Sequence, residues 1–124
     1  MAFSPDGRLL YVSESGAQFA EDPVQNIQVF EAGDDGRLSG GRVFHTVSPG
    51  YADGFRLDED GNVWSSAADG VHCIEPDGTL LGRIKVPFRV SNLAFGGRHR
   101  SRLFICASHT LMAIYTNQRG AARP

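Results

Sequence analysis

The chain has 124 residues, 41% apolar and 21% charged, enough for one globular domain with a single core and too few for two of ordinary size. Twelve Lys and Arg against fourteen Asp and Glu leave a formal charge of -2, which gives no electrostatic footprint for nucleic acid. Apolar runs such as Leu9 to Val12 and Leu103 to Ala107 are strand-length and fall far short of the roughly 20 residues that cross a bilayer, so no membrane partner is expected.

The opening Met-Ala-Phe-Ser-Pro-Asp-Gly has neither the basic nor the apolar region of a secretory signal, so a cytoplasmic site is expected. Leu9 to Ser13 then reads as a strand, entered through the turn Asp6-Gly7. Ser15 to Gln25 is a polar connection that belongs on a loop face, either bordering a binding site or simply solvated. Strands follow at Asn26 to Phe30 and around Leu38 to Val47, separated by Asp35-Gly36. Phe55 to Leu57, Asn62 to Ser66, Gly70 to Ile74 and Thr79 to Val86 are the next four, punctuated by Asp60-Gly61, Asp69-Gly70 and Asp77-Gly78. In each of these dipeptides a residue tolerant of positive φ precedes one that prefers it, so each is expected to close a hairpin. Asn92 to Phe95, Arg102 to Ser108 and Thr110 to Tyr115 complete the strands, and Arg119 to Pro124 has too little apolar content to pack and should fray. Fifteen Gly and six Pro interrupt every candidate helical period, so helix content should be near zero.

These segments repeat. Met1 to Gly7 followed by Arg8 to Ser13 lines up with Phe55 to Gly61 followed by Asn62 to Ser66, and a third copy starts at Asn92-Leu-Ala-Phe95, where Gly96-Gly97 and Arg98 to Ser101 replace the Asp-Gly turn. Phe3, Leu57 and Phe95 hold equivalent places. Units of roughly 40 to 50 residues with four antiparallel strands are β-propeller blades. The expected fold is all-β: about eleven strands in three blades, residues 1–48, 49–88 and an incomplete 89–118 lacking its outer strand, with a tail at 119–124.

Three stretches in order, Phe3-Ser-Pro-Asp-Gly-Arg-Leu-Leu-Tyr-Val-Ser13, Pro49-Gly-Tyr-Ala-Asp-Gly-Phe-Arg-Leu-Asp-Glu-Asp-Gly-Asn-Val-Trp64 and Val90-Ser-Asn-Leu-Ala-Phe-Gly-Gly97, resemble the senescence marker protein (regucalcin)/gluconolactonase family. The resemblance implies the C-terminal half of a six-bladed propeller roughly twice this length. It also implies a divalent cation, Ca²⁺ or Zn²⁺, at one channel mouth, held by a Glu, Asn residues and an Asp from different blades, with a sugar lactone or similar cyclic ester hydrolysed beside it. The Asp of the Pro-x-x-x-Asp-Gly motif maps onto Asp53, an Asn would precede Met1, and the remaining ligands fall in the absent half. Without the resemblance, Asp53 reads as an Asp capping the turn before Gly54, its carboxylate bonded to backbone N–H groups.

The chemistry asks for more than Asp53. A carboxylate can position a water or take its proton, which makes Asp53 the candidate catalytic residue and the candidate metal ligand. Ca²⁺ wants six to eight oxygens and catalytic Zn²⁺ about four ligands, so other donors must converge. Ser91, at the place in the third copy equivalent to Asp53, its neighbour Asn92, and Glu14 at the end of the strand Leu9 to Ser13 are the candidate substrate-binding residues.

Other groups carry less. His45, His72, His99 and His109 lack metal-ligand spacing, and His72 and His109 sit at strand edges where exposed imidazoles are ordinary. Arg98 to Arg102 is a basic cluster read as a solvated loop, and Ser13, Ser15, Ser65 and Ser66 lack a nucleophile elbow. Cys73 and Cys106 both read as buried, reduced thiols.

Three functions are compatible with this: a metal-dependent lactonase in an assembly that rebuilds the channel, a non-enzymatic propeller fragment binding a metal or small molecule, and an inactive remnant. Three blades alone leave apolar faces in water, so the expected partner is a second copy, forming a homodimer that closes a six-bladed ring, or a separate N-terminal half.

Overall fold

The computed structural model describes residues 1–14 and 25–122, and every regular element among them is a strand. Nearly all of the loop expected at Ser15 to Gln25 lies outside the described residues. The strands are β1 (Ala2–Phe3), β2 (Leu9–Ser13), β3 (Asn26–Ala32), β4 (Leu38–Thr46), β5 (Phe55–Leu57), β6 (Val63–Ala67), β7 (Gly70–Ile74), β8 (Leu80–Lys85), β9 (Val90–Gly96), β10 (Arg102–Ala107) and β11 (Thr110–Tyr115). They form three antiparallel sheets in chain order, β1 to β4, β5 to β8 and β9 to β11, the last one strand short. All five Asp-Gly pairs sit at hairpin turns, because Gly supplies the left-handed conformation (φ 85° at Gly61) that the twist of the flanking strands requires.

The sheets pack face to face through two apolar layers. Tyr11, Ile27 and Val29 of the first blade meet Phe55, Leu57, Val63 and Ile74 of the second. Trp64, Val71 and Cys73 on the opposite face of the second blade meet Leu93, Leu103 and Ile105 of the third. Strand alternation makes this possible, since successive residues of β6 and β7 point to different neighbours and these two inner strands are therefore buried along their whole length. An edge-on aromatic pair closes each layer, Tyr11 with Phe44 at 4.9 Å and Trp64 with Phe95 at 5.6 Å between ring centres.

The structure moves the repeat by one residue. Phe3 pairs with Leu10, whereas Leu57 pairs with Val63, so the first turn is one residue longer than the second. Tyr11 consequently takes the place of Trp64, Ser13 that of Ser66, and Glu14 that of Ala67. In the third blade Leu103, opposite Phe95, places Cys106 at the Ser66 position. Each turn compensates chemically. Ser4 Oγ accepts from Leu9 N–H and donates to Asp6, while Asp58 in the same position accepts from the Asp60 and Asn62 N–H groups, the Asn62 amide and Trp64 Nε1–H. In the third turn Arg100 at φ 53° does what Gly does elsewhere, and its guanidinium reaches Glu59 of the second blade at 2.6 Å. Arg100 is thus tied across blades, and the basic cluster is not wholly solvated.

The C-terminal segment is not frayed where it is described. Arg119 C=O accepts from Glu59 N–H, Gly120 N–H donates to Arg100 C=O, and Ala121 N–H donates to Leu57 C=O. Backbone hydrogen bonds hold it across the second and third blades, at the far end of β5 from Asp53. Gly120 lies against Phe95, where a Cβ would not fit.

Candidate functional site

The connections that enter β5 and β9 and the turn between β6 and β7 gather at one end of the sheets, and Asp53 lies among them. Gly50, Tyr51, Asp53, Ala67, Ala68, Arg89 and Val90 line one small cleft. The chain reaches it through a cis Ser48-Pro49 bond, and Ala68 N–H fixes Pro49 C=O at 3.0 Å.

Ser66 determines what Asp53 does. Its buried hydroxyl accepts from the N–H groups of Asp53 and Gly54, at 3.0 and 3.1 Å, and its own N–H donates to Gly54 C=O at 2.9 Å. The turn is therefore capped from the neighbouring strand. The carboxylates of Asp6, Asp35, Asp58, Asp69 and Asp77 are all taken up by nearby donors. That of Asp53 is exposed and has no hydrogen bond or ion pair among the described residues. Dismissing Ser66 for want of a nucleophile elbow missed this role; two N–H groups opposite a serine in an adjacent strand carry no sequence signature.

Asn92 is brought to the same place. Its side chain lies over Gly54 where a Cβ would stand, with Oδ1 accepting from Leu93 N–H at 2.9 Å, so glycine is required there by close approach. Ser91 is exposed, and its hydroxyl donates to Cys106 C=O at 3.4 Å, turned toward its own sheet. Glu14 follows β2 at the same end of the sheets but on the first blade. Its counterpart in the second blade, Ala67, lines the Asp53 cleft, whereas Glu14 itself does not.

His72 is fully buried, not exposed at an edge. Its Nε2 meets Asp69 at 2.8 Å, Asp69 also meets Arg83 at 3.2 Å, and the His72 Nδ1 has no partner among the described residues. Burial pushes the Asp69 carboxyl up, but hydrogen bonding and charge from His72 and the charge of Arg83 outweigh it, leaving the pKa below its ordinary value. Cys106 is exposed, contrary to expectation, because it occupies the Ser66 position on a face with no fourth blade against it. Cys73 is buried, and desolvation with Asp58 and Glu75 nearby pushes its thiol up to about 12, so no reactive thiolate forms there.

Among the described residues no three His, Cys, Asp or Glu side chains come together as a metal site. Asp53 with amide and hydroxyl neighbours falls short of the donors either Ca²⁺ or Zn²⁺ needs, so these residues alone do not fit a divalent cation.

Three stacked four- and three-stranded antiparallel sheets are the blades of a β-propeller. The description "SMP-30/Gluconolactonase/LRE-like region" matches residues 1–109, and the chain belongs to that family. It is 33% identical over 130 residues to a gluconolactonase of Zymomonas mobilis, covering 97% of this chain and 35% of that protein. The structure superposes with a TM-score of 0.80 on a gluconolactonase from Xanthomonas campestris, 39% identical, covering 92% of this chain and 36% of the other. At 22% identity, regucalcin from Agrobacterium tumefaciens, a calcium-binding protein, shares the fold with a TM-score of 0.76. The chain thus spans little more than a third of the length of the gluconolactonases it matches. Among the described residues no helix is long and apolar enough to cross a membrane.

Proposed function

We propose that this chain supplies the Asp53 side of a lactone-hydrolysing propeller mouth. The observation that carries this is the exposed Asp53 carboxylate, released from turn capping by Ser66, with Asn92 packed against the adjacent Gly54. A carboxylate so placed takes a proton from water as the water oxygen bonds to the lactone carbonyl carbon. The ring C–O bond then breaks, the proton passes to the departing alkoxide, and a hydroxy acid results. Asn92 Nδ2 and Ser91 Oγ are the groups from this chain that would contact substrate oxygens, with Glu14 at the rim.

A divalent ion, calcium or zinc, belongs to this reading only with donors from further blades, Asp53 being this chain's contribution to it. The closed mouth needs those blades in any case. Phe3, Phe30 and Val43 face away from the second blade on one side of the wedge, and Phe104, Leu111 and Tyr115 on the other, with Val43, Leu111 and Tyr115 more than half exposed. These faces are of the two kinds that meet between the second and third blades, so a second copy can join third blade to first and close a ring. A separate N-terminal half would serve the same end. Two unpaired thiols favour a reducing, cytoplasmic setting.

Turnover of a generic sugar lactone, with and without chelator, tests the reading, alongside solution mass by light scattering. Chelator-sensitive turnover by a species of twice the chain mass supports it, and a well-folded monomer without turnover refutes it. The second reading, a propeller fragment that binds without catalysis, is favoured by the lack of a three-ligand metal cluster among the described residues.

A further inference from the structure

Beside Asp53 stands a cation that the lactonase reading does not use. The Arg89 guanidinium lies 5.6 Å from the centre of the Tyr51 ring, with Nη1 3.5 Å from the Tyr51 hydroxyl. Arg37, Arg83 and Arg100 are paired with carboxylates, but Arg89 pairs with none among the described residues. Asp53 lines the same cleft, yet the two opposite charges do not approach within ion-pair distance.

The base of Arg89 is fixed. Its C=O accepts from Ser108 N–H at 3.0 Å, Val90 beside it is buried, and Phe88 on its other side stacks edge-on with His109 at 5.2 Å. The turn that leads to Tyr51 is fixed two residues earlier, where Ala68 N–H donates to Pro49 C=O. A guanidinium resting on an aromatic ring gives up little rotamer freedom when it binds an anion, and its planar fork suits a carboxylate. The cleft itself holds about 10 Å³, room for one water, so a ligand lies across the mouth, not inside it.

We propose that Arg89, braced on the Tyr51 ring, is the carboxylate-binding residue of this mouth, and that the ligand class it takes is a polyhydroxy acid, the ring-opened product of a sugar lactone. This rests on the proposed lactonase reading for the choice of ligand, since hydrolysis creates one carboxylate where the substrate has none. The carboxylate sits on Arg89 while the hydroxyls reach toward Asp53 and Asn92. Tyr51 acts through Arg89 as a positioning residue.

The test is an amide-resolved NMR titration of the full chain with sodium gluconate, using glucitol and acetate as controls. Gluconate should shift amides around residues 50–54 and 89–92, and glucitol should not. Arg89→Ala should weaken gluconate affinity about tenfold or more, the scale of one charge-assisted hydrogen-bonded contact, with Arg89→Lys recovering part of it. Tyr51→Phe should bind as wild type does, because the ring does the bracing, and Tyr51→Ala should bind more weakly. Arg89 is exposed and pairs with no carboxylate among the described residues, so its variants should keep the wild-type amide dispersion. Equal binding of gluconate by Arg89→Ala and wild type, no binding by wild type, or equal shifts by glucitol overturns the proposal. Equal shifts by acetate overturn the polyhydroxy assignment. Arg89-dependent gluconate binding without turnover refutes the lactonase reading alone, and turnover with Arg89-independent gluconate affinity refutes this proposal alone.

Discussion

Replacing Ser66 with alanine should disturb the mouth more than any other single hydroxyl removal in the second blade. Ser66 Oγ is the acceptor for two backbone donors, Asp53 N–H and Gly54 N–H, at 3.0 and 3.1 Å, in a residue with no exposed surface. A buried donor that loses its acceptor costs about 1–3 kcal/mol, and because both bonds are only partly buried the lower part of that range applies to each, giving about 2 kcal/mol together. With an m-value of about 2 kcal/mol/M, the urea midpoint should fall by about 1 M at unchanged slope. Ser65→Ala is the control. Its equally buried hydroxyl donates one bond, to Ser66 C=O at 3.0 Å, and its loss should cost about 0.5–1 kcal/mol. In the Ser66 variant the Asp53 carboxylate becomes the nearest replacement acceptor for its own turn, so lactone turnover should fall as well. Equal destabilisation by the two substitutions would refute the argument that Ser66 is what frees Asp53.

Two further expectations concern other parts of the chain. In the native protein Cys106 should react with a thiol reagent while Cys73 is protected until unfolding, as one is exposed and the other buried with its pKa pushed up to about 12; simultaneous labelling would contradict that placement, although closure of a ring would slow Cys106. Asp69, with a folded pKa below its ordinary 3.8, stabilises the fold fully above that value and loses the contribution as pH falls through the folded pKa. Asp69→Asn should therefore be less stable than wild type at pH 7, the gap closing in denaturation curves taken at pH 3 and below, and a gap unchanged with pH would count against the Asp69–His72–Arg83 link.

The strands and their grouping were legible because both depend on local chemistry: Asp-Gly turns at fixed offsets, β-branched and aromatic runs between them, and no helical period to compete. Features set by approach between blades were not. The extra residue in the first turn is hidden because Arg8 and Asn62 follow matching Asp-Gly pairs, and only the pairing of Phe3 with Leu10 reveals it. The burial of His72 depends on the first blade packing over it, and the exposure of Cys106 on a blade that is not there. Arg119 to Ala121 docks by backbone hydrogen bonds, which leave no apolar mark in the sequence. Asp53 was singled out as a candidate through its motif, yet the residues that shape its surroundings, Ser66 behind it and Tyr51 and Arg89 beside it, converge from separate connections and carry no common spacing.

The most direct test of the proposed function is the rate of sugar-lactone hydrolysis by Asp53→Asn relative to wild type, each in the assembly found for it in solution. Asparagine keeps the shape of the side chain and leaves the Ser66 cap intact, so the fold should be unchanged while hydrolysis drops about 100-fold or more, the scale of a lost general base. A variant that hydrolyses lactone at the wild-type rate would contradict the assignment of Asp53 as the working carboxylate of the mouth.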